Sequence, residues 1–168
     1  MASGIGSSDC ERIVDAALAQ PVLALTSVAY VAAGLIAVIW AARLRAPLSL
    51  AAGVALVAVG AGSIVYHGPQ PSWAGPVHDW PIVLLGLLCV LGVVRSGMRR
   101  DWSGWLMPAT IFGVGLVAYV AGRSGSPLCR PDSLWQFHGA WHVLSAVAAL
   151  AAAVVMARGD DGPGRDET

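Results

Sequence analysis

The chain has 168 residues, 57% of them hydrophobic and only 12% charged, with a mean hydropathy of +0.68. This composition lies outside the range of soluble domains and predicts an all-α integral membrane protein with a single domain. Ten basic residues, all arginine, balance ten acidic ones, which argues against nucleic acid or another polyanion as a partner.

Residues 1–20, MASGIGSSDCERIVDAALAQ, lack the positive start, apolar middle and small-residue cleavage site of a signal peptide, so they are expected to remain as an outer-side segment. Ser8 or Asp9 can cap a short interfacial helix there, with Ile13, Val14, Ala17 and Leu18 on its apolar face; a disordered tail is the alternative. Apolar runs follow at 22–42, 49–67, 77–94, 102–121 and 134–157. Each is near the ~20 residues that cross a bilayer, so a bundle of about five transmembrane helices is expected over 21–157. The gaps carry arginine, glycine and proline, and the polar tail 158–168 is expected to be disordered.

Arg43, Arg45, Arg95, Arg99, Arg100 and Arg158 fall on one side of these spans, against Arg12, Arg123 and Arg130 on the other. The positive-inside rule then puts the N-terminus outside and the C-terminus in the cytoplasm, in keeping with a cell-membrane protein. Trp40, Trp102 and Trp105 read as interfacial belt residues on the cytoplasmic side. The same parity places Cys10 and Cys129 outside and Cys89 within the third span. With three cysteines and no C-x-x-C pair, a thiol redox site or zinc ribbon is not indicated. A Cys10–Cys129 bridge and two free outer thiols both remain open.

Ionisable groups inside spans are costly, and the few present meet at one depth. His67 ends the second span and Asp79 begins the third, joined by a proline-rich turn. His138 and His142 lie one turn apart on one face of the fifth span, and Ser63 stands one turn before His67. An i,i+4 histidine pair alone fits hydrogen bonding between packed helices equally well, and Ser63 alone says little. His78 is turned about 100° from Asp79 on a helix and is left outside the set. Together, three imidazoles suit Zn²⁺ with a fourth position left for water, whose pKa would fall to about 7. Asp79 would orient a ligand or act as general base, and Ser63 would hydrogen-bond a developing oxyanion.

Ser63-Ile-Val-Tyr-His67, Asp79 and His138-Gly-Ala-Trp-His142 together resemble the signature of the CREST superfamily of membrane hydrolases. The alkaline ceramidases, which share the His-x-x-Trp-His pattern that includes Trp141, are the nearest in appearance, alongside adiponectin-type receptors and hemolysin III-like proteins. The resemblance implies zinc on His67, His138 and His142, an aspartate, Asp79, assisting the metal-bound water, and a serine, Ser63, supporting the oxyanion. It also implies a disulfide between Cys10 and Cys129. The family fold has seven transmembrane helices, whereas this chain has room for five, so a shortened relative is expected. Its site would be open to lipid, or closed by a second subunit of a homo-oligomer.

The expected activity is that of a zinc-dependent hydrolase cleaving an amide bond in a membrane lipid, ceramide-like or otherwise N-acylated. Two alternatives stand beside it: a haem-binding membrane electron carrier, and a non-catalytic receptor-like protein with a structural zinc.

Overall fold

Proline sets where two of the helices begin. Pro21 and Pro47 occupy the first helical turn, where a missing N–H costs nothing. The computed structural model describes residues 4–98 and 102–160. Over these, α1 (Pro21–Thr26) and α2 (Val28–Leu44) make the first span, α3 (Pro47–His67) the second and α4 (Ala74–Met98) the third. A single 3₁₀ turn (Ser103–Trp105) leads into α5 (Leu106–Ala121) as the fourth, and α6 (Phe137–Asp160) is the fifth. Each of the five spans is long and apolar enough to cross a membrane, and no strand occurs among the described residues beyond one isolated bridge, Asp9 with Arg123. The molecule is a multi-pass membrane helical bundle. Arg99 and Arg100, and the tail beyond Asp160, lie outside the described residues.

The first span differs from the uninterrupted helix that its apolar run predicts, because it breaks at Ser27. The Ser27 hydroxyl donates to Leu23 O at 2.7 Å and Thr26 Oγ1 donates to Val22 O at 2.9 Å, so both side chains bond back onto the preceding turn. Such bonds compete with the helical ladder, and the Tyr30 N–H falls back to Ser27 O, three residues away, as the chain turns into α2.

The N-terminal segment also departs from expectation. Residues 4–20 form turns and bends rather than an interfacial helix, because their backbone groups are engaged elsewhere. Cys10 N–H donates to Gly122 O, Ser124 N–H to Ser8 O, Arg12 N–H to Pro131 O and Gln20 N–H to His67 O. The Glu11 carboxylate, from outside any helix, accepts from Val22 N–H at 2.8 Å and Leu23 N–H at 2.9 Å and thereby caps α1. A Cys10–Cys129 disulfide, with Cα atoms 5.4 Å apart, ties the segment to the α5–α6 connection.

The centre of the bundle is α2, α3 and α6, packed through small side chains: Ala37, Ala52, Ala152 and Ala153 in one cluster, Ala33 and Ala146 with Tyr30, Leu56 and Val59 in another. Where hydrocarbon surrounds the protein, apolar burial drives little and close backbone approach contributes more. At Gly34 a β-carbon would lie 2.6 Å from Val57 N, so only glycine lets α2 and α3 come this near. Ser49 Oγ adds an interhelical bond to Ala153 O at 2.8 Å. α4 packs chiefly on α3 and α5 chiefly on α6. Both turn large side chains outward, Leu87 and Val90 on one and Val117 and Val120 on the other, as lipid-facing helices do.

Tryptophans mark both ends. Trp40 and Trp102 are exposed at one, whereas Trp73, Trp80 and Trp135 are exposed at the end where α3 finishes and α6 begins. Trp105 is partly buried instead, its indole N–H donating to Ser96 Oγ at 2.9 Å and joining the start of α5 to the end of α4.

Candidate metal centre

Two helices, α3 and α6, deliver three imidazoles to one point. His67 is the last residue of α3, and His138 and His142 sit in the first two turns of α6. All three are buried, at 1%, 6% and 2% exposure. Each offers a ring nitrogen, and these three nitrogens lie within 4.8 Å of one another. Ring centroids are 5.7 Å apart for His67 and His138, 5.2 Å for His67 and His142, and 4.9 Å for His138 and His142. The approach depends on Gly122 at the end of α5, where any β-carbon would collide with the His138 backbone.

Hydrogen bonding sets the ring tautomers. Gln20 is fully buried and its amide N–H₂ donates to Gly6 O and Glu11 O, which turns its oxygen toward His67. His67 Nδ1 therefore carries the proton and donates to Gln20 Oε1 at 2.9 Å. The same logic governs His142. Thr26 and Ser27 spend their hydroxyl protons on backbone carbonyls, so their oxygens, 3.0 and 3.3 Å from His142 Nδ1, accept from it. In both rings the free lone pair is on Nε2. His67 Nε2 is buried with no hydrogen-bond partner among the described residues. A buried acceptor left unmatched costs roughly 1–3 kcal/mol, and a cation would use it.

His138 has a different neighbour. Its Nδ1 lies 3.2 Å from Asp9 Oδ1, close enough for an ion pair but off the direction of a hydrogen bond. The same Asp9 oxygen is 3.3 Å from Arg123 Nη1. Burial pushes the Asp9 carboxyl up to about 6, against the lowering influence of Arg123 and His78.

Of the residues expected at the site, His67, His138, His142 and Ser63 are buried at the same end of the bundle, Ser63 one turn before His67 on α3. Asp79 is not with them. Its side chain is 71% exposed and its carboxylate accepts from His78 Nδ1 at 2.7 Å, on the outside of α4. The hairpin makes Asp79 and His67 neighbours in depth, but helical rotation carries the carboxylate away from the rings. The inward position belongs to His78, which stacks on Tyr66 at 4.4 Å and stands 6.1 Å from His67, outside the group of three.

Sequence reasoning missed Asp9, Gln20, Thr26 and Ser27. Polar residues at the N-terminal end of an apolar run, at 20, 26 and 27, were the available signal. Asp9 had only its place beside Cys10. Comparison of the chain with known protein families, with curated proteins and with solved structures returns no match.

Proposed function

We propose that the protein is a zinc-dependent intramembrane hydrolase that cleaves an amide bond in a membrane lipid, ceramide-like or another N-acyl lipid. The observation that carries this reading is the buried, unpartnered His67 Nε2 set among two further imidazoles. A tetrahedral ion with bonds of ~2.0–2.1 Å wants nitrogens about 3.4 Å apart, so the group, now within 4.8 Å, would draw together on binding it. Three neutral histidines suit zinc and leave a position for water; bound there, zinc would supply an activated water and polarise the scissile carbonyl.

The chain's own residues do the rest. Gln20, Thr26 and Ser27 hold two rings in the tautomer that presents Nε2. Ser63 is retained as the donor to the carbonyl oxygen as negative charge develops on it. Asp79, exposed and bound to His78, has no part in this scheme. The apolar flanks of α4 and α5 fit a substrate arriving from the bilayer, and a second copy of the chain is a candidate to close the wall that five helices leave short. With the N-terminus outside, the centre would sit in the outer leaflet of the cell membrane. Three ring nitrogens within 4.8 Å of one another match a small four-coordinate ion, whereas haem takes only axial ligands from the protein.

Purified protein should carry about one zinc per chain and release fatty acid from an N-acyl lipid. His142→Ala should lose the metal, and Ser63→Ala should keep it while turnover falls roughly 10²-fold. Zinc content and hydrolysis measured on the same preparations check this. Haem absorbance without zinc, or full activity in Ser63→Ala, would remove the reading.

A further inference from the structure

The sequence contains one aspartate at the expected position for work beside the histidines, and the fold turns it outward. A different aspartate, from the far N-terminus, takes the interior place. Asp9 is 6% exposed, its Oδ1 stands 3.2 Å from His138 Nδ1, and the backbone around it is paired with residues 122–124. Cys10, covalently bound to Cys129, holds it from the adjoining position. Among the three rings, His67 and His142 already have neutral acceptors at Nδ1, and His138 alone faces a carboxylate.

We propose that Asp9 is the positioning residue of the metal centre: its carboxylate accepts a hydrogen bond from Nδ1–H of His138, orients that ring and raises the donor strength of its Nε2. The inference rests on the metal-centre reading above and deepens it. A small rotation of the His138 ring brings the 3.2 Å contact into line. A carboxylate so placed makes the imidazole a stronger ligand than an amide or hydroxyl does, because it offsets the charge the ring acquires on binding a cation. Arg123, 3.3 Å from the same oxygen, holds Asp9 against rotation. Asp9 thus acts through His138 without touching the ion.

The test is zinc affinity by competition with a chromophoric chelator, on the full chain in detergent, with the Cys10–Cys129 bridge confirmed by mass as the mark of a folded N-terminal segment. Asp9→Ala should bind zinc about 10–100-fold more weakly. Asp9→Asn, which keeps an accepting oxygen without the charge, should fall between that variant and the parent. Asp79→Ala should bind as the parent does. The absorption of the Co²⁺-substituted protein should shift in both Asp9 variants and not in Asp79→Ala, a change that mere loosening of the segment would not produce with the bridge intact. Parent-like affinity and cobalt spectrum in Asp9→Ala overturn the assignment; if that variant does not form the bridge, the same result in Asp9→Asn does so. A parent chain that takes up no zinc fails differently and removes the metal-centre reading as well.

Discussion

At the scale of single residues, the candidate site depends on how each polar atom is matched. Gln20 shows how much one side chain settles: with its amide protons committed to Gly6 O and Glu11 O, its oxygen accepts, among the described residues, from the His67 ring and a more distant Gln70. Gln20→Leu removes the acceptor and strands a buried N–H, so a loss of roughly 1–3 kcal/mol in stability is expected, together with weaker zinc retention. Detergent melting curves with and without zinc check both effects. The pairings of Ser63 with His67 and of His138 with His142 were each legible from spacing, because i,i+4 positions on a helix must share a face. The outward turn of Asp79 was not. Its depth follows from the hairpin, but its direction depends on how α4 is rotated about its own axis, and that is set by packing on α3.

Among the α-helices, α1 is the shortest and the most dependent on others. Its exposed N–H groups are satisfied by Glu11, ten residues before the helix begins, in place of a local capping side chain. Glu11→Ala should cost ~0.5–2 kcal/mol, as lost caps do. The pH dependence has a definite sign. Burial pushes the Glu11 carboxyl above its ordinary value, outweighing the pull of the Val22 and Leu23 N–H groups in the other direction. For a carboxyl raised on folding, the linked stability is fully present below the ordinary glutamate range and is lost as pH rises through the higher folded value. Glu11→Gln keeps an accepting oxygen and should flatten that slope, as melting temperatures taken across the acid range would show. The break between α1 and α2 belongs to this scale too. It was hidden in an apolar run whose hydropathy is uninterrupted, and only the hydroxyls of Thr26 and Ser27, bonding to the turn behind them, announce it.

Across the whole molecule, the Cys10–Cys129 bridge spans 119 residues and joins the N-terminal segment to the connection before α6. Removing a link over a loop of that length should cost about 4–5 kcal/mol on the loop-entropy view. Cys10→Ser should accordingly melt much earlier than the parent. It should also hold zinc less tightly, since Asp9, Glu11 and Gln20 all reach their partners from the segment the bridge secures. Parallel melts and zinc titrations of Cys10→Ser and reduced parent, which should behave alike, check that coupling. The exposed apolar flanks of α4 and α5 belong to the same scale: none of the described residues covers them, as expected where the surrounding medium is hydrocarbon.

What the amino-acid sequence determines by itself is the membrane class, the number of spans, the common depth of His67, His138 and His142 and the shared face of the last two, since run length and helical period depend only on local order along the chain. Tertiary structure decides that the three rings converge and which residues surround them. The N-terminal segment gives up its own helix because pairing with residues 122–124, the bridge to Cys129 and the capping of α1 satisfy its backbone and side chains better than local hydrogen bonds do. Asp9 then stands inside and Asp79 outside, although Asp79 is far nearer to His67 in sequence. The reason is geometric: separation along the chain fixes how deep a residue lies in the bundle, while the side it faces is fixed by the rotation and contacts of whole helices.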